Sequence, residues 1–208
     1  MFIERPGTLL RRIYPQALWR MNHRQRSVFL TFDDGPIPQA TPFILDILDE
    51  FGIKATFFMV GENAVRHPHL LDEVRRRGHR VGNHTYNHLG GFRSFGREYI
   101  ANAQKAEEIL QTGKLFRPPH GWMSPIQYRR MLADSWRIVM WDVLSRDYNS
   151  NVSPAQVFDN VRRYTRPGSI ITFHDSLKSI DKLRIILPDI ITWLKSQGYT
   201  FEVLGDTD

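Results

Sequence analysis

From residue 27 onward, short apolar runs rich in β-branched and aromatic residues alternate with longer stretches whose apolar positions recur every three or four residues. This is the pattern of strands followed by amphipathic helices. Strands are predicted at residues 27–32, 55–60, 80–83, 114–117, 138–142, 169–173 and 199–203, and helices at 41–51, 69–77, 97–111, 125–133, 154–164 and 182–197. Pro42, Pro125 and Pro154 fall at helix starts, where a missing N–H costs little. Strand–helix alternation predicts a parallel sheet, either doubly wound or closed as a barrel, and the periodicity does not choose between them. In both architectures ligands bind at the carboxyl ends of the strands. Residues able to do chemistry fall there repeatedly: Asp33 and Asp34 after the first strand, His84 after the third, Arg117 closing the fourth, Asp142 and Asp147 after the fifth, and His174 after the sixth.

Composition narrows the class. The 208 residues suffice for one well-filled core, and 41% hydrophobic with 24% charged residues describes neither a disordered chain nor a membrane bundle. The absence of cysteine removes disulfides and thiolate metal sites and leaves His, Asp and Glu as ligands. Of the net charge of +6, five units sit in residues 1–26, where six arginines face Glu4 alone. The remainder is nearly neutral, so no broad nucleic-acid face is expected. The chain therefore divides into a basic N-terminal extension, residues 1–26, and a single domain, residues 27–208. In the extension every apolar stretch is broken by Arg, Pro or Gln, so no signal-peptide core is seen and a cytoplasmic protein is expected. Leu9, Leu10, Ile13, Leu18 and Trp19 suit a strap packed across the domain, with peripheral contact at an anionic membrane as the second reading.

Three segments bear most directly on chemistry. Asp33 and Asp34 are two adjacent carboxylates at a strand end, followed by Gly35-Pro36; a dication or an arginine would relieve their repulsion. His84 and His88 are four apart, so a helical turn would bring both rings to one ion; with Asp34 they form a two-histidine, one-carboxylate set that leaves coordination positions open. Zinc suits such a set, with cobalt, nickel or iron as alternatives. His174 leaves a buried strand toward the same pole as a candidate general acid, with Asp175 able to cap the following turn. Pro118, Pro119 and Gly121 make a stiff, sharply turned loop around His120, suited to presenting a backbone N–H.

With these residues in view, the chain resembles the polysaccharide deacetylases of the NodB-homology type, carbohydrate esterase family four. The resemblance runs from residue 27 to about 204 and rests on five segments in the family's order, residues 31–36, 84–88, 117–121, 142–148 and 170–175. It implies an α/β fold, a distorted (β/α) barrel of about seven strands. It also implies one divalent metal, zinc foremost with cobalt or nickel as alternatives, on Asp34, His84 and His88. Asp33 would be the general base and His174 the general acid. Arg117 would position the base and Asp147 would pair with His174, while Asp142 looks secondary. Three departures stand out: His120 replaces the usual tyrosine but keeps the backbone N–H that stabilises an oxyanion, Tyr148 replaces a tryptophan, and Thr172 replaces a leucine of the acetyl pocket. Phe173, Trp141 or Trp122 could supply apolar contact instead, and Trp122 and Tyr148 are candidates to stack on sugar. The implied activity is hydrolysis of N-acetyl groups from an amino sugar or polysaccharide, releasing acetate. O-deacetylation, as of acetylated xylan, and silent glycan binding are the alternatives. The implied partner is an acetylated glycan or amino-sugar substrate, and no nucleic acid.

Overall fold

The structure, a computed structural model, describes residues 4–21 and 26–205. Eight strands pair in parallel: β1 (Ser27–Asp33), β2 (Thr56–Met59), β3 (Arg80–Asn83), β4 (Leu115–Phe116), β5 (Arg137–Ile138), β6 (Val143–Leu144), β7 (Ile170–His174) and β8 (Thr200–Phe201). Their order is β5-β4-β3-β2-β1-β7-β6, with β8 beside the start of β1. The two edges of this sheet, β5 and β6, are consecutive in the chain, so the sheet curls into a distorted (β/α) barrel. One predicted strand, residues 138–142, is thereby corrected to two, which raises the expected seven strands to eight. Along this segment the chain changes partner. Val139 N–H still reaches the Phe116 carbonyl (2.7 Å), Met140 N–H turns to Leu18 (2.8 Å), and Asp142 N–H bonds Ile170 (2.9 Å). No single ladder can continue through that exchange.

The alternation of side chains along β1 and β7 organises the barrel. Toward the outside, Phe32 stacks on Phe57 and Phe173 at 5.1 and 5.7 Å. This face belongs to the main core, which takes in Ile44 and Leu48 of α2 (Thr41–Glu50) and Leu187 and Ile190 of α8 (Ile180–Ser196). Fully burying each such side chain stabilises by about 1.5–3 kcal/mol. Toward the inside, Phe29 and Ile170 join Phe58, Leu115, Val139 and Leu204 in an apolar plug. Two residues further along, Thr31 lies opposite Thr172, and two further still, Asp33 lies opposite His174. The interior is thus apolar at its base and polar at its mouth because strand side chains repeat every second residue.

Predicted and observed helices agree within two residues for α2, α4 (Pro68–Arg76), α5 (Gly96–Leu110), α6 (Pro125–Ala133), α7 (Pro154–Tyr164) and α8. The starts of α6 and α7 are firmly capped: Ser124 forms a capping box with Gln127 and Ser153 with Gln156, motifs whose serine caps contribute about 0.5–2 kcal/mol. Two helices were not expected, α1 (Thr8–Ile13) and α3 (Gly61–Arg66), each six residues long.

Residues 4–21 pack as a strap across the barrel. Leu10, Tyr14, Ala17 and Trp19 are buried in a cluster with Phe116, Met123, Tyr128 and Met140. Tyr14 Oη donates to the Met123 carbonyl (2.7 Å) and accepts from the Met123 N–H (2.9 Å). Glu4 pairs with Arg146 (2.5 Å), and its carbonyl accepts from Leu144 N–H (2.7 Å). Arg11 reaches the buried Asp142 (2.6 Å), which also takes Arg166 and Ser169. Asp142 is a clamp for the strap at the barrel seam, away from the pocket. Burial alone would raise its carboxyl, but the hydrogen bonds from Arg166, Ser169 and Arg11 outweigh that and hold it below the usual range. No helix among the described residues is long and apolar enough to cross a membrane. His23 lies outside the described residues.

Candidate active site

At the mouth of the barrel a cavity of about 380 Å³ is lined by Asp33, Asp34, His84, His88, Arg117, His120, Trp122, Tyr148, Thr172 and His174. Of the residues singled out from sequence as site residues, only Asp147 stands just behind this wall, bonded to His174.

Arg117 lies buried at the base of the site. It is 1% exposed, with its guanidinium 4.2 Å above the Phe58 ring. Nη1 donates to Asp33 (2.6 Å) and Thr31 Oγ1 (2.7 Å), and Nη2 donates to the Met140 carbonyl (2.9 Å). Burial pushes the Asp33 carboxyl up, while the charges of Arg117 and His174 pull it back down. One side of the site therefore holds a desolvated carboxylate in a fixed orientation.

Across the mouth, Asp147 is fully buried and grips His174 twice. Its Oδ1 lies 2.8 Å from the ring Nδ1, and its Oδ2 accepts the His174 backbone N–H at 2.8 Å. Ser145 Oγ (3.0 Å) and the Tyr148 N–H (3.0 Å) hold Asp147 in turn. Burial alone would discharge the imidazole, but the adjacent Asp147 carboxylate overcomes it and the His174 pKa rises to about 9. The Tyr148 ring stands edge-on to His174, with centroids 4.7 Å apart.

The third group lines the same mouth. Ligand atoms of Asp34, His84 and His88 fall within 4.8 Å of one another. His84 Nδ1 lies 2.8 Å from the Arg117 carbonyl, which can only accept; Nδ1 therefore carries the proton and Nε2 presents its lone pair toward Asp34, 3.8 Å away. His88 Nε2 is 3.3 Å from the same carboxylate oxygen. Burial would raise Asp34, yet the hydrogen bond from His88 and the facing histidines hold it well below the ordinary carboxylate range. Two imidazole nitrogens and one carboxylate oxygen, converging with a tautomer already set, fit a divalent ion of the zinc type with positions left open.

The expectation that a helical turn joins His84 and His88 is corrected. The rings lie 5.1 Å apart, but Thr85 (φ 65°) and His88 (φ 57°) are left-handed, and the segment is a loop. Asn83 and Asn102 side chains accept the Thr85 and Tyr86 N–H groups, and Thr85 Oγ1 accepts that of Leu89. These side-chain bonds replace the helical ladder. Asp34 and His120 also have positive φ, at 88° and 60°. Such backbone strain concentrates where a fixed geometry is needed.

Asp175 is likewise reassigned. Rather than capping the turn after it, its buried carboxylate accepts Gly35 N–H (2.9 Å) and Thr41 Oγ1–H (2.7 Å), bracing the loop that carries Asp34. A Cβ on Gly35 would lie 1.9 Å from Asp175 Oδ2, so only glycine fits.

Thr172, 1% exposed, places its hydroxyl 3.3 Å from that of Thr31. Apolar wall comes instead from Trp141, Leu144 and Leu10. Trp141 was one of the side chains expected to compensate; Leu10, from the strap, was not anticipated. The sequence marks Leu10 as part of a strap packed across the domain, and not as a pocket residue.

A family described as polysaccharide deacetylase matches residues 20–132, more than half of the chain. The chain belongs to the polysaccharide deacetylase family. A peptidoglycan-N-acetylglucosamine deacetylase of Bacillus cereus is 31% identical over 203 residues, covering 90% of this chain and 91% of that protein. A chitooligosaccharide deacetylase of Azorhizobium caulinodans is 35% identical over 162 residues, covering 75% and 77%. Among solved structures, a peptidoglycan N-acetylglucosamine deacetylase in complex with an N-hydroxybenzamide superposes with a TM-score of 0.84 at 33% identity, covering 96% of this chain and 95% of that one. Polysaccharide deacetylases are thus its relatives over nearly the whole described length, including part of the strap.

Proposed function

We propose that the protein is a metal-dependent hydrolase that removes N-acetyl groups from N-acetylglucosamine residues of a glycan and releases acetate. The observation that carries this reading is the pairing of two tuned groups on neighbouring strands, Asp33 held by Arg117 and His174 held by Asp147, at one mouth with the three-ligand set. The naming of relatives as N-acetylglucosamine and chitooligosaccharide deacetylases supports the substrate class.

In this reading Asp34, His84 and His88 hold one divalent ion, zinc by the chemistry of the donors. When bound, it supplies Lewis acidity to the acetyl carbonyl and acidifies water. Asp33, ionised and oriented by Arg117, takes the proton of the attacking water. The His120 backbone N–H donates to the oxyanion as charge develops, a role for which one donor is worth about 2.7–4 kcal/mol. His174, protonated through Asp147, gives its Nε2 proton to the departing amine. Leu10, Trp141 and Leu144 shelter the acetyl methyl and exclude water, and Tyr148 keeps the His174 ring from swinging. Binding alone would need neither a buried base nor a protonated acid, which sets catalysis above silent glycan binding.

The direct test is acetate release from N-acetylglucosamine oligomers and peptidoglycan fragments, with acetylated xylan as comparator. Zinc-loaded protein is expected to release acetate from the amino sugars, to stop after chelation and to resume when zinc is restored. No release from any amino sugar by zinc-loaded, folded protein would overturn the reading.

The electrostatics also predict a bell-shaped dependence of kcat/KM on pH. Its acid limb lies above the ordinary carboxylate range, because burial raises Asp33, and its basic limb lies near the His174 pKa of about 9. Asp147→Asn is expected to move the basic limb down toward the ordinary imidazole value of 6.5. A basic limb that stays in place would remove His174 as the acid. Stability follows the same sign. Because His174 is raised in the fold, its contribution is complete below about pH 6.5 and is lost as pH rises through about 9.

A further inference from the structure

Exposed large hydrophobic side chains are few among the described residues, and they are unevenly placed. Six of nine lie on three segments beside the pocket mouth: Leu9 and Ile13 on α1, Phe92 and Phe95 on the loop before α5, Trp122, and Ile126 at the start of α6. Leu9 is 74% exposed and Phe95 87%, so neither is incidental to the packing of its own element. The three segments form one continuous surface. Tyr14 of the strap bonds Met123 in both directions, and Gln16 N–H donates to Tyr128 Oη (2.8 Å). Gln127 Nε2 reaches the carbonyls of Gly91 (2.9 Å) and Ser94 (3.2 Å), and Phe92 lies 5.8 Å from Trp122. Leu10, beside Leu9, and Trp122 are themselves part of the pocket wall.

Charge on this surface is mostly positive, with the exposed Glu98 beside Arg97 the exception. Residues 5–16, 90–97 and 122–130 contain seven arginines and no aspartate or glutamate. Arg11 is engaged by Asp142. The other six, Arg5, Arg12, Arg93, Arg97, Arg129 and Arg130, are exposed, and none forms an ion pair among the described residues. Some exposed arginines elsewhere are paired, as Arg66 is with Glu62 and Arg162 with Asp159, and others lie over aromatic rings, as Arg184 does over Phe43. Helical spacing puts Leu9 beside Arg12, and Ile126 beside Arg129 and Arg130, so each apolar side chain has a cation as a neighbour.

We propose that this face docks on an anionic lipid bilayer, with the pocket mouth turned toward the headgroups. Aliphatic and aromatic side chains interspersed with cations are the composition that settles at the headgroup–acyl boundary. A neutral glycan chain would use flat aromatic rings and hydrogen-bonding groups, and it gives Leu9, Ile13, Ile126 and six unpaired arginines nothing to bind. Taken with the deacetylase reading, on which this consequence rests, the substrate is an acetylated amino sugar carried by lipid or held at the membrane surface.

The test is sedimentation with vesicles of equal parts phosphatidylglycerol and phosphatidylcholine, against vesicles of phosphatidylcholine alone. The full chain is expected to sediment with the anionic vesicles only and to be released by high salt. Leu9→Ser with Phe95→Ser, and separately Arg93→Glu with Arg129→Glu, are each expected to weaken vesicle binding by about tenfold or more. Zinc-dependent acetate release from a soluble N-acetylglucosamine oligomer should be unchanged in both, which keeps folding and site out of the result. Equal sedimentation with both vesicle types, or full binding by either double variant, would overturn the proposal. So would variants that keep vesicle binding but lose retention on insoluble chitin, since that assigns the face to glycan. Sedimentation uses no turnover, so failure of the deacetylase reading would leave this measurement intact, and thermal melting then serves as the folding control.

Discussion

Asp33→Asn is expected to lower acetate release by about 10²–10⁴-fold while the protein still binds its metal. Asparagine keeps the shape of the side chain and an oxygen for Arg117 Nη1, but it cannot take a proton from water. The three-ligand set draws on Asp34, His84 and His88, not on Asp33, so metal content per chain should match the parent. Turnover measured beside metal content separates the two roles. Undiminished acetate release would remove Asp33 as the base. Loss of metal together with activity would instead make Asp33 part of the metal site.

Arg117→Met carries the second large effect, and it acts on stability and catalysis at once. The Arg117–Asp33 pair is buried on both sides, with a 2.6 Å contact. Removing one partner of a buried pair costs about 3–5 kcal/mol, because the other charge is left without compensation. Burial already pushes Asp33 up, and the guanidinium is the largest force opposing it. Without Arg117 the carboxyl should take up a proton closer to neutral pH, so the acid limb of the rate profile moves upward and activity at a fixed pH below that limb falls about tenfold for each unit of displacement. The double variant Asp33→Asn/Arg117→Met, with no charge left to strand, should recover part of the stability lost in Arg117→Met alone. Denaturant unfolding of the three variants reads this coupling directly. An acid limb that does not move in Arg117→Met would leave Arg117 as a packing residue only.

Much of the architecture was legible because the relevant forces are local. A parallel strand buried on both faces reads as a continuous apolar run, and β1 and β7 do so. The starts of α6 and α7 were found because Pro125 and Pro154 fall where a missing N–H costs little, and the structure adds the Ser124–Gln127 and Ser153–Gln156 capping boxes that fix them. Placing reactive side chains at strand ends was enough to gather Asp33, Asp34, His84, Arg117 and His174 at one pole.

What escaped depends on partners distant in the chain. The exchange of residues 138–144 from β4 to β7 is decided by the insertion of Leu18, far away in sequence. The histidine loop is not helical because Asn83, Thr85 and Asn102 satisfy its backbone, and spacing alone does not distinguish that from a helix. α1 and α3 are too short for a period to emerge. Asp175 was read as a local cap, whereas its ligands, Gly35 and Thr41, lie some 140 and 134 positions earlier. Leu10 becomes a pocket residue only through Arg11–Asp142 and Tyr14–Met123, contacts that span 131 and 109 positions.

Those same spans set an order of assembly. Residues 4–21 are made well before Met123, Leu144 and Arg166 exist to receive them, so this segment finds its place only after those later partners are in position. Until then Leu10, Tyr14 and Trp19 stay in solvent and the pocket lacks a wall. A nascent or truncated chain can therefore carry every motif that marks the family and still not be ready to work.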